Sequence, residues 1–98
     1  MTRIVLAPAV AEDFARIVDH LDRHDAASRE ERVGGIVRAI DILADNPLIG
    51  RPAEAELREL VIGRDASGYV ALYRYLSEFD TVLILAIRAQ REAGYAQP

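Results

Sequence analysis

"VLILAIRAQREAGY", Val82 to Tyr95, is the stretch on which the fold turns. Six apolar residues run without a break, and the chain then switches to Arg88, Gln90, Arg91, Glu92, Gly94 and Tyr95. A run that is apolar on both faces belongs in the middle of a sheet, with a neighbour on each edge. Two upstream runs, "LRELVI" (57–62) and "YVALYRYL" (69–76), read as strands. The links "GRDASG" and "SEFD" are short, so these two and 82–88 form an antiparallel meander. The remaining edge of 82–88 falls to "RIVLA" (3–7), a short β-branched run that stops at Pro8.

Between the first strand and the meander the period changes. Val10, Phe14, Ile17, Val18 and Leu21 recur at helical spacing among Glu12, Asp13, Arg16, Asp19 and Asp22, giving an amphipathic helix over 9–24. Pro8 is well placed to open it, because its missing N–H costs nothing there. Val33, Ile36, Val37, Ile40, Leu43 and Ala44 mark a second helix over 26–45, which ends at "DNP". Asp25 is a candidate cap for it, and Ser28-x-x-Glu31 fits a capping box. Gly34 and Gly35, costly inside a helix, point to close approach of the two helix backbones. "NPLIGRP" is a turn-rich connector, with a loop through Glu56. The order is β-α-α-β-β-β: one α+β domain over 1–98, a helical hairpin on one face of a small, mostly antiparallel sheet.

The composition is that of a globular chain, 51% apolar and 29% charged. There is no cysteine, which excludes disulfides and thiolate metal sites. No apolar run is long enough to span a bilayer, and "MTRIVLAPAV" lacks a signal peptide's apolar core, so a cytoplasmic protein is expected. Net charge is −4, with seven arginines against eleven carboxylates in residues 1–56 and five of each in 57–98. A chain without lysine and with a pI near 5.1 is a poor free-standing nucleic-acid binder, although a local arginine cluster remains open.

The strand, the helical hairpin, "NPLIGRP", "LREL" leading into "GYVALYRY" and the closing "AIRAQREAGY" together resemble the RelE/ParE superfamily of bacterial toxins over nearly the whole chain. These are the toxic halves of type II toxin–antitoxin modules, also described as plasmid stabilisation proteins. The resemblance implies growth inhibition, no cofactor, and a cognate antitoxin of the ParD or RelB kind. Operator DNA would be reached only through that antitoxin. It also implies one of two targets. RelE-like members cut mRNA on the ribosome and are usually strongly basic. ParE-like members poison DNA gyrase and lack the RNase residues. Many relatives carry a histidine where this chain has Ala89, a departure that favours the ParE branch. A degenerate toxin that only binds its antitoxin and regulates their operon is the third reading.

RNA cleavage through the 2′-hydroxyl needs a base, an acid and cations. Arg58, Arg64, Arg74, Arg88 and Arg91 supply cations, and Tyr95 supplies an acid. No arginine can act as a base, and a tyrosine starts near pKa 10. Glu59 and Glu92 are the nearby carboxylates, each able to pair with an arginine instead. His20 and His24 have the spacing of a zinc pair but no third ligand, and the fold sets them far from the arginine-bearing strands. Tyr69, Tyr73 and Tyr75 share a strand face and suit packing better than base stacking. Arg74 either lays its stem on an apolar face or projects at the functional end of the sheet. Arg88, Arg91 and Tyr95 follow a rigidly held strand, a good mount for a contact surface. Gly94 would let the chain bring Tyr95 back towards the sheet. The expected function is gyrase inhibition by protein–protein contact through these arginines.

Overall fold

The computed structural model describes residues 1–64 and 67–92. Arg3–Leu6 (β1) leads into the helix Pro8–His24 (α1), a 3-10 turn at Ala26–Ser28 and the helix Arg29–Ile42 (α2). The strands Arg51–Pro52 (β2), Leu57–Ile62 (β3), Tyr69–Leu76 (β4) and Thr81–Ala89 (β5) follow. They form one five-stranded sheet in the order β1-β5-β4-β3-β2. β1 runs parallel to β5, and every other pair is antiparallel. The most apolar strand therefore has a neighbour on each side, as its composition requires.

One face of the sheet carries the core. Ile62, Tyr69, Ala71, Tyr73, Val82, Ile84 and Ile87 pack against Val10, Ile17 and Leu21 of α1 and against Ile36, Ile40 and Leu43 from the α2 side. Tyr69 and Tyr73 are thus core residues, while Tyr75 is half-buried at the rim.

Four local expectations need correction. The second helix begins at Arg29, not at 26, and ends at Ile42. Ser28 sits in helical φ/ψ and makes no side-chain cap, because it is the last residue of the 3-10 turn and so lacks the extended backbone a capping residue needs. The connector contains a two-residue strand, with Arg51 opposite Glu59 and Pro52 opposite Arg58. Gly34 and Gly35 do not mark a helix–helix contact. A Cβ on Gly34 would lie 3.1 Å from the Arg38 guanidinium, the nearest neighbour of both glycines.

The connector is pinned from inside. The Tyr73 hydroxyl donates to the Pro47 carbonyl (2.9 Å) and accepts the Gly50 N–H (2.9 Å). Arg58 donates to the Leu48 and Gly50 carbonyls (3.1 and 2.7 Å). At the same end of the sheet, Thr2 and Tyr75 both donate to Asp80 Oδ1 (2.7 and 2.8 Å). Those bonds, Thr2's foremost, hold the Asp80 carboxyl below its ordinary 3.8, and Asp80 in turn raises the Tyr75 hydroxyl above 10.0. A depressed carboxyl stabilises above its unfolded pKa, and that contribution is lost as pH falls through the folded value. Asp80→Asn should therefore melt below wild type near neutrality. The gap should close below roughly pH 4. Melting curves over pH 2–7 on both proteins test this, and a gap that is flat with pH counts against it.

Among the described residues, no helix is long and apolar enough to cross a membrane.

The helix-free sheet face and two flanking clefts

The geometry of the site begins with a bulge. Along β5 the register pairs Tyr73 with Ile84 but Leu72 with Ala86, which leaves Leu85 as an extra residue. An extra residue reverses which side chains face which way. Before it, Val82 and Ile84 face the helices. After it, Ile87 and Ala89 do, and Arg88 faces the other side. Without the bulge Arg88 would point into the core.

Bulge and strand end are held by α1. The β1 ladder stops where the Ala7 N–H donates to the Ile84 carbonyl (2.8 Å), so the far half of β5 has no strand on that edge. Two side chains replace the missing partner. Asp13 Oδ2 accepts the Ile87 N–H (2.9 Å), and Arg16 donates to the Ile87 carbonyl (3.3 Å). Asp13 is only 1% exposed, and its charge is matched by Arg16 at 2.8 Å. Arg16 also donates to both carboxylate oxygens of Glu92 (3.2 Å each). Burial opposes a charged guanidinium, but the bond to Asp13 outweighs it, so the Arg16 pKa is raised. These roles were missed in the sequence because a helical Asp and Arg three positions apart look like ordinary surface polarity. The missed signal is the first β-run stopping at Pro8 while the run it must pair with continues.

The helix-free face brings some of the arginines together. Register places Arg3, Arg51, Arg74 and Arg88 on it, among Leu57, Leu72, Leu76, Leu83 and Val5. Arg74 is exposed and pairs with Glu56 at 2.7 Å, and Arg51 pairs with Glu59 at 3.1 Å. Exposed pairs of this kind contribute only about 0–1 kcal/mol, so neither arginine is lost to a partner. Arg88 is half-buried, and its guanidinium donates to the carbonyls of Ala89, Gln90 and Glu92 (3.2–3.4 Å). It does not extend freely into water, because those carbonyls lie past the strand end and need donors.

The other candidates lie elsewhere. Arg58 is on the helix side, opposite Tyr73, and serves the connector. Arg64 follows β3 at the Arg88 end of the sheet, and Arg91 follows β5 on the helix side. Tyr95 and Gly94 lie outside the described residues.

Among the described residues, a cleft opens on either side of the helices. One, of about 630 Å³, is lined by Ile17, Leu21, Tyr69 and Ala89, with His20, His24, Arg32 and Arg91 around it. The histidines are therefore not remote from the arginines, since α1 lies along β5 and carries them to the strand's end. Their rings are 4.6 Å apart and tilted by 40°. Among the described residues there is no group of three side chains suited to hold a metal. The second cleft, of about 560 Å³, runs between α2 and β3. Its apolar lining includes Ile42 and Ile49, both about half exposed, and Arg38 and Arg64 stand on opposite walls.

A family model described as the ParE toxin of the type II toxin–antitoxin system parDE matches residues 4–94. Among solved structures, a chain of the chromosomal ParDE TA system from P. aeruginosa is similar at 25% identity and a TM-score of 0.75, over 91% of this chain and 96% of that one. A chain of the intact E. coli RelBE toxin–antitoxin complex shares the fold at 11% identity and a TM-score of 0.61, over 91% and 96%. No curated protein matches in sequence. A match running from the first strand to the turn after the last, on a fold those solved chains share, leads to one conclusion: the chain belongs to the ParE toxin family of type II toxin–antitoxin systems.

Proposed function

We propose that this toxin binds DNA gyrase with the helix-free face of its sheet, traps the enzyme on cleaved DNA, and is neutralised by an antitoxin encoded beside it. The observation that carries the reading is the content of that face: apolar strand residues with Arg74 and Arg88, and no imidazole among its described residues. Its described carboxylates are both engaged, Glu59 by Arg51 and Glu56 by Arg74. Such a face has cations and contact area but no ready proton acceptor, which suits binding rather than RNA cleavage.

The test adds purified toxin to gyrase with relaxed and supercoiled plasmid. Supercoiling should fall and linear DNA should accumulate. Arg88→Ala should cost at least tenfold in inhibition. It should also lower stability by about 1.5–3 kcal/mol, since a charged donor to three carbonyls is lost. Full inhibition by a folded Arg88→Ala protein would return Arg88 to a purely local role.

One observation keeps the RelE-like alternative in play: His20 and His24 share a cleft with Arg91, so an imidazole base does lie near a cation. Codon-specific cuts in translated mRNA, lost on His20→Ala, would decide for that reading. Unimpaired growth during expression of the soluble chain would decide for a degenerate toxin.

For the antitoxin, the α2–β3 cleft is the better seat. Its exposed apolar residues lie between two arginines, which matches an amphipathic segment with acidic flanks. Ile42→Asp should weaken antitoxin binding by about 2 kcal/mol or more, the loss expected of a buried anchor. Titration calorimetry with the neighbouring gene product checks this, and unchanged affinity would move the interface elsewhere.

A further inference from the structure

We infer that Arg16 and Asp13, on α1 and outside the helix-free face, are positioning residues for the toxic surface, because they decide where Arg88 points. The inference rests on Arg88 being part of that surface. Its own content is a mechanical chain that the geometry lays out link by link.

The first link is the bulge. Arg88 reaches the helix-free face because Leu85 is extra, and the segment after Leu85 has no β-strand on its outer edge. Asp13 and Arg16 take up both backbone groups of Ile87 there, one accepting its N–H and the other donating to its carbonyl. A strand would bond the same two groups, so the pair acts as a one-residue strand made of side chains. The second link is the turn. Arg16 grips the Glu92 carboxylate, while the Glu92 backbone carbonyl accepts Arg88 Nη1 (3.3 Å) and its N–H donates to the Ala89 carbonyl (3.1 Å). Arg88 thus leans on a turn whose far side is tied to α1. Among the described residues, Arg16 reaches from α1 to the bulged segment and the turn together.

A guanidinium is suited to this place. Its planar fork serves Asp13, Glu92 and the Ile87 carbonyl at once, and it stays charged at any working pH.

The test is a double-mutant cycle read in gyrase inhibition, because a positioning role and a general structural role combine differently. Glu92→Gln leaves the Arg16–Asp13 pair intact and releases only the turn. Arg16→Gln releases the turn and the Ile87 carbonyl and also takes the cation from Asp13. Each should weaken inhibition by roughly tenfold in the wild-type background, with unfolding midpoints still well above the assay temperature. In an Arg88→Ala background each should add less than about twofold, since nothing remains to be positioned. Equal losses in both backgrounds, or no loss in the wild-type background, would overturn the inference. Full inhibition by Arg88→Ala itself would remove the reading on which it rests, and that outcome is visible before any Arg16 or Glu92 variant is made. Should Arg16→Gln fold poorly, Glu92→Gln carries the cycle alone.

Discussion

Asp13→Ala should lower the unfolding midpoint by roughly 12–24 °C, a large loss for a polar side chain. The estimate starts from a buried carboxylate whose two oxygens are both in use, one by Ile87 and one by Arg16. Its removal leaves a buried N–H without an acceptor, a cost of about 1–3 kcal/mol. It also takes the nearest anion from Arg16. Breaking a fully buried pair costs about 3–5 kcal/mol, but Arg16 is partly exposed and keeps Glu92, so this adds only about 1 kcal/mol. A total near 3 kcal/mol, at about 4–8 °C per kcal/mol for a domain of this size, gives the stated shift. Asp13→Asn keeps an acceptor for Ile87 and should recover a clear part of the loss. If both variants melt within about 1 kcal/mol of wild type, the bulge holds itself and α1 does not stand in for a strand.

Gly50→Ala is expected to come second. A Cβ at this position would sit 2.6 Å from the Tyr73 ring, 2.7 Å from its hydroxyl and 2.9 Å from the Glu59 carbonyl. Neither neighbour can yield cheaply: Tyr73 is fully buried, and Glu59 is paired backbone between β2 and β4. Overpacking of this kind costs about 1–3 kcal/mol. If the connector moves away to relieve it, Tyr73 loses bonds to Gly50 and Pro47, each with a similar penalty when left unmade in the interior. The net loss should be about 2–4 kcal/mol. Tyr73→Phe removes one of the clashing atoms, the hydroxyl that also pins the connector, and leaves the ring carbon in place. The double variant should therefore be more stable than the sum of the single losses predicts, by about 0.5 kcal/mol or more. Strict additivity in denaturant titrations would mean that the two sites do not share this contact.

Much of this architecture was legible because its apolar patterns are strong. The unbroken run from Val82 could only be a central strand, and the neighbours assigned to it are the observed ones. The same strength hid the bulge. A strand apolar on both faces has no alternation, so an extra residue leaves no phase error to notice, and the side on which Arg88 emerges was not readable. Asp13 lies among polar helix positions and looks solvated, yet it is nearly inaccessible, because the need it meets arises 74 residues away. The arginines were legible as a set but not as a place. Arg58 faces inward to the connector, Arg91 belongs to the helix-side cleft, and Arg74 and Arg88 share the helix-free face. That division depends on register, which a list of residues does not contain.

The parallel pairing of the first strand with the last also sets a timetable. Arg3 lies opposite Thr81, so a nascent β1 must wait 78 residues for the strand that completes it. At about 5–20 residues per second that is on the order of 4–16 s of synthesis, followed by passage of β5 out of the ribosome. Until then the sheet has no centre, α1 has no Ile87 to hold, and neither face of the toxin exists. An interrupted translation product that stops short of Thr81 lacks the strand that joins β1 to β4 and should not fold. The cell therefore meets the folded protein all at once, when its last strand is made.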